Sequence, residues 1–104
     1  MTIHKSIVGT EFKILVEIEP IDDAHMEDME FTCLFYTNFD NPLTVKKTDM
    51  IKVNADGYIA LVDTEGMKPG TLRNRITVDI PDKDFDDQYR REIADVETGV
   101  KIYR

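Results

Sequence analysis

Phe12-Lys13-Ile14-Leu15-Val16-Glu17-Ile18-Glu19 decides the fold class. Phe12, Ile14, Val16 and Ile18 recur at every second position, and Lys13, Glu17 and Glu19 occupy the opposite phase. A period of two places the two sets on opposite sides of an extended chain, so the stretch predicts a half-buried β-strand. Pro20 closes it, because proline has no N–H to give to a ladder, and the polar, acidic run Ile21 to Asp28 is expected to be a solvated connection.

Met29-Glu30-Phe31-Thr32-Cys33-Leu34-Phe35-Tyr36-Thr37 repeats the pattern with Met29, Phe31, Cys33 and Phe35 in phase. Asn38 to Pro42 reads as a turn, since Asn and Asp bond their own backbone there. Leu43 to Lys47 and Met50 to Val53 are short strands. Asn54-Ala55-Asp56-Gly57 is a hairpin turn with Gly57 expected at positive φ, after which Tyr58 to Val62 pairs back on Met50 to Val53. Glu65-Gly66 and Pro69-Gly70 mark the next loop. Leu72, Asn74, Ile76, Val78 and Ile80 then share the inner face of a further strand, with Asn74 its only polar member. Pro81 to Gln88 is an acidic loop. Tyr89 to Val96, with Glu92, Ala94 and Val96 in one phase, and Val100 to Tyr103 are separate strands on either side of Glu97-Thr98-Gly99.

No long window carries a helical period. Seven or eight short strands in 104 residues, punctuated by turns, describe an all-β, immunoglobulin-like antiparallel β-sandwich, with a small barrel as the other architecture. The chain, residues 1–104, is read as one domain, with no repeat and no linker. At this length folding buries roughly 60–70% of the unfolded surface, and 41% hydrophobic against 33% charged residues is a globular balance.

The net charge of −8, from 21 acidic and 13 basic residues, argues against nucleic acid and anionic membranes as partners. No run of residues is apolar enough for a signal peptide or a membrane span, so the expected site of synthesis is the cytoplasm. Cys33 is the sole cysteine. It excludes an intramolecular disulfide, and its phase with Phe31 and Phe35 makes it an inert core residue.

The chemistry-bearing residues are few. Ser6 is the only serine, and His4 and His25 are the only histidines. Ser6 and His4 share a strand side but have no orienting third group, so neither is assigned a catalytic role and both histidines are read as surface residues. Asp82-Lys83-Asp84-Phe85-Asp86-Asp87 alternates carboxylates as a calcium loop does, but Asp87 stands at the turn-glycine position and Ile93 at the bidentate-glutamate position of an EF-hand. A calcium site shared with Asp22, Asp23 or Glu27 is the alternative to a solvated loop. Lys46, Lys47, Arg73, Arg75, Arg90 and Arg91 lack the glycine-rich loop a phosphate site needs. Tyr36, Tyr58, Tyr89, Tyr103 and Phe39 are candidate aromatic contacts for a protein partner. No catalytic, metal or cofactor residue is assigned, and an enzyme is not expected.

Asp56-Gly57-Tyr58-Ile59-Ala60-Leu61-Val62-Asp63, Lys68-Pro69-Gly70-Thr71-Leu72-Arg73, Ile76-Thr77-Val78 and Glu97-Thr98-Gly99-Val100-Lys101-Ile102 together resemble the immunoglobulin-like amino-terminal domain of phage baseplate upper proteins. The likeness covers about half the chain. Ile21 to Asp28 departs from the family's valine-aspartate-leucine-threonine-glycine turn. The resemblance implies a virion or prophage structural protein that works by docking or self-association and carries no catalytic motif. The rival classes are a calcium-dependent or carbohydrate-binding sandwich using Asp82, Asp84 and Asp86, and a small acidic inhibitor that mimics nucleic acid.

Overall fold

In the computed structural model residues 4–7, 11–39 and 41–103 are described, residues 4–7 and 103 by their backbone alone. Among the described residues eight strands form two sheets. β1 (His4–Ile7), β8 (Tyr89–Tyr103), β7 (Gly70–Pro81), β3 (Glu30–Tyr36) and β4 (Leu43–Lys46) make one sheet in that order. β2 (Glu11–Glu17), β6 (Gly57–Asp63) and β5 (Ile51–Asn54) make the other.

All pairings are antiparallel except that of β1 with β8, which runs parallel from His4 opposite Val100 to Ile7 opposite Tyr103. The expectation of a wholly antiparallel sandwich is corrected there. β1 gains its order from a partner almost a full chain length away, and such pairing leaves no local pattern to detect.

The two sheets share one core, built from the phases the sequence sets up. Val16 of β2 and Tyr58, Ala60 and Val62 of β6 face Phe31, Cys33 and Phe35 of β3 and Leu72, Ile76, Val78 and Ile80 of β7, with Val45, Val100 and Ile102 completing it. Phe31 meets Tyr58 edge to face, ring centroids 5.1 Å apart, the arrangement favoured by the ring quadrupoles.

Three sequence expectations fail on local geometry. Ile21 to Asp28 is not a plain solvated loop. Ile21 and Ala24 bridge each other, Met26–Asp28 forms one 3₁₀ turn, and Met26 is fully buried. One inward side chain per turn is too sparse a signal to stand out among acidic neighbours. Gly57 does not take positive φ. It starts β6 directly opposite Asn54, and a Cβ there would stand 3.2 Å from Asn54 Oδ1, so its small size is what the hairpin uses. Glu97-Thr98-Gly99 does not separate two strands. β8 runs on through a register shift in which Thr71 opposes Lys101 but Arg73 opposes Glu97. Gly99 takes φ +82° at that bulge, a conformation glycine reaches without a Cβ penalty.

The 15 residues of β8 span about 50 Å at ~3.4 Å each, and they account for the 47 Å long dimension of a molecule only 27 and 25 Å across. The second sheet, with strands of at most seven residues, roofs only part of this hairpin. Glu92, Ala94 and Val96 therefore stay exposed although they share the inward phase of β8.

Candidate interaction surfaces

β6 reads Tyr58-Ile59-Ala60-Leu61-Val62, apolar in both phases. Its inward phase is spent on the core, so Ile59 and Leu61 must point outward. The register puts Leu15 of β2 and Ile51 of β5 on either side of Ile59, and Lys13 opposite Leu61. Leu15, Ile51, Val53 and Leu61 each keep just over half of their surface in solvent. The outer face of the small sheet is thus an apolar strip bounded by Glu11, Lys13, Glu17 and Asp63. A contiguous apolar patch with a polar rim marks a contact site in a folded protein. The signal was present in the sequence, as Leu15 in the polar phase of β2 and as a run without a polar phase in β6.

The outer face of the large sheet is organised differently. Tyr36 of β3 donates its hydroxyl to Asp95 of β8. Arg73 Nε lies 2.9 Å from Asp95 and its Nη1 3.3 Å from Glu97, Arg75 Nε lies 3.2 Å from Asp95, and Arg91 Nε lies 2.9 Å from Asp79. The Tyr36 hydroxyl, assisted by Arg73 and Arg75, holds the Asp95 carboxyl below the usual carboxylate range. Arg75 also sits 5.0 Å from the ring centroid of Phe39, which stacks on Tyr36 at 4.4 Å. The arginines of β7 and β8 are committed to carboxylates, so the face presents alternating charge and no phosphate cradle.

The chemistry candidates separate. Cys33 is fully buried, and burial pushes its thiol up to about 11, which suppresses the thiolate. Asn74 donates to its sulfur at 3.6 Å, while Asn74 Oδ1 has no partner among the described residues. His25 is no isolated surface residue. Its Nδ1 stands 2.9 Å from Asp56 Oδ1, and Asp56 also accepts the Met26 N–H at 3.3 Å. The hydrogen bond and charge of Asp56 raise the His25 pKa above its ordinary 6.5. The pair ties the Ile21 to Asp28 connection to the β5–β6 hairpin, with the Asp28 carboxylate accepting the His25 N–H at 3.0 Å. The side chains of His4 and Ser6 lie outside the described residues.

Asp22 and Asp82, far apart in sequence, do converge, but on a guanidinium. Arg90 reaches Asp22 at 3.0 Å and Asp82 at 3.2 Å. Asp82 and Asp87 are further engaged as acceptors of the Asp84 and Tyr89 N–H groups. Among the described residues no group of three His, Cys, Asp or Glu side chains is placed to hold a metal ion, and no helix is long and apolar enough to cross a membrane.

Of the aromatic candidates, Tyr36 and Tyr58 are buried, Tyr89 and Phe39 are exposed, and the Tyr103 side chain lies outside the described residues. Lys47 spans the rim of the core, donating to the Glu27 carbonyl at 2.9 Å and the Met29 carbonyl at 2.6 Å. No protein-family model matches the chain, and no curated protein and no solved structure matches it.

Proposed function

We propose that this chain is a noncatalytic protein-interaction or assembly module on an immunoglobulin-like sandwich, working in a phage or prophage structural assembly. The observation that carries the interaction reading is the apolar outer strip of the small sheet, Leu15, Ile51, Val53, Ile59 and Leu61. Removing such a strip from water is favourable by about 25 cal/mol per Å², a drive that only a covering partner realises. The rim, acidic at Glu11, Glu17 and Asp63 against the one base Lys13, and the net charge of −8 match a partner protein whose own apolar patch carries a largely basic border. Two sheets around one core support the sandwich, and the sequence resemblance supports the phage setting and assembly in a virion. The scarcity of nucleophiles supports the noncatalytic reading.

The test compares affinity purification of the wild type and of Leu15→Asp/Leu61→Asp from the source cells with any prophage induced, followed by mass spectrometry. Both residues are exposed, so the variant keeps the fold. Recovery of large tail or baseplate proteins by the wild type and their loss from the variant is the expected result. Equal capture by both proteins refutes the strip as the interface, and a nuclease as the sole partner favours the acidic-inhibitor reading instead.

A further inference from the structure

We propose that the chain forms a twofold homodimer by antiparallel pairing of its β8 edge, Tyr89 to Glu97, with the same edge of a second copy. This surface is separate from the apolar strip of the small sheet, and the inference does not rest on it. β8 pairs with β7 along one side from Tyr89 to Glu97 and, past the bulge, at Lys101 and Ile102, but β1 takes its other side only from Val100 to Tyr103. Among the described residues no strand pairs with that side from Tyr89 to Glu97. The backbone donors and acceptors of a free edge are a template for another strand. At this one Ile93 is 62% exposed, Val96 44% and Tyr89 41%.

Sheet continuity and charge select one register. A twofold axis normal to the sheet keeps each face on its own side, so odd positions oppose odd and even oppose even. Centring on Arg91, Glu92 or Asp95 sets that charge directly against its own copy, which is destabilising. Centring on Ala94 avoids this and sets Arg91 on Glu97, but it aims Ile93 at Asp95 and shortens the ladder against the bulge at Gly99. Centring on Ile93 sets Ile93 on Ile93, Arg91 on Asp95, Tyr89 on Glu97 and Arg90 on Val96, with all nine residues paired.

That register also extends the charge pattern already present. Within one copy Asp79 opposes Arg91, and Arg75 opposes Asp95. Joining the edges produces, twice over, a row across four strands of Asp79, Arg91, then Asp95 and Arg75 of the second copy, alternating in sign at every step. The edge is complementary to itself, and the occupant this pattern fits is a second copy of the chain. A strand-edge contact of this length is smaller than a standard stable interface, so the dimer is a weak one, with Kd on the order of 10–100 µM.

Sedimentation equilibrium from about 1 µM to 1 mM, a range that brackets this Kd, tests the proposal on the wild type and on Ile93→Lys. The variant opposes two ammonium groups at the axis but only adds charge to an exposed site in the monomer. We expect a wild-type dimer, at least ten-fold weaker association of Ile93→Lys and an unchanged melting temperature. Register is read by mild oxidation of Ile93→Cys and Val96→Cys on a non-reducing gel. Directly opposed Cα atoms lie about 4.5–5.5 Å apart, within disulfide reach, whereas two Val96 positions are six residues out of line and the buried Cys33 stays silent. Selective cross-linking of the Ile93→Cys variant supports the pairing. A wild type monomeric throughout, a dimer that Ile93→Lys leaves intact, or equal cross-linking at both positions overturns it. A dimer abolished by Leu15→Asp/Leu61→Asp but not by Ile93→Lys belongs to the apolar strip instead.

Discussion

Replacing Met26 by alanine probes a side chain that fills the core from an acidic connection, and the cost can be worked from its position. Met26 is fully buried against the shared core. The substitution removes three heavy atoms beyond Cβ, worth about 0.8 kcal/mol each in transfer free energy, or about 2.4 kcal/mol. The surrounding sheets are fixed by their ladders and close only partly on the void, which brings the loss to about 3 kcal/mol, inside the range for buried Met→Ala. A domain of this size is stable by about 5–15 kcal/mol, so the variant stays folded at 25 °C. Its melting temperature falls by about 12–24 °C, and its urea midpoint by about 2–3 M for an m-value near 1–1.5 kcal/mol/M. Thermal and urea unfolding followed by circular dichroism read both. A loss below about 0.5 kcal/mol, the level of an ordinary surface change, refutes the reasoning, because it means that the connection lies free of the core as its acidic sequence suggests.

The His25–Asp56 pair predicts a pH dependence. Asp56 raises the His25 pKa in the folded state above 6.5, so the stabilisation is fully present below the unfolded value and is lost as pH rises through the folded one. NMR titration is expected to place the His25 midpoint above 6.5, and Asp56→Asn to bring it back and to flatten this part of the stability profile; a wild-type midpoint at or below 6.5 refutes the pairing. Asn74 Oδ1 is buried without a partner among the described residues, beside a groove of about 180 Å³ that also meets Ile14, Val16, Ile76 and Val96. Asn74→Leu removes an unsatisfied carbonyl and is expected to raise stability by about 1 kcal/mol, seen as a melting temperature higher by about 4–8 °C; a decrease of that size shows that the carbonyl is hydrogen-bonded by water in the groove.

The alternating stretches were legible because a strand with one side in the core and one in water writes its geometry into a period of two. Phe12 to Ile18, Phe31 to Phe35 and Leu72 to Ile80 carry that record, and with it the β class and most of the core. Ile59 and Leu61 show its limit. They are apolar in the outward phase, so the residues that form the candidate interface make β6 read like a fully buried strand. Met26 shows another limit, since one inward side chain in a single 3₁₀ turn has no period.

Composition and local periodicity alone determined that the protein is acidic and mostly β, with one cysteine and few nucleophiles, because those properties follow from residue counts and from neighbours along the chain. Tertiary structure alone decided that β1 lies parallel to β8, that Asp22 and Asp82 close on Arg90, that His25 meets Asp56, and that among the described residues no strand takes the second side of β8 from Tyr89 to Glu97. Each depends on which distant segments are brought side by side. That choice is made by the packing of whole faces against one another, and residues 31, 60 or almost 100 positions apart leave no mark on each other's local sequence.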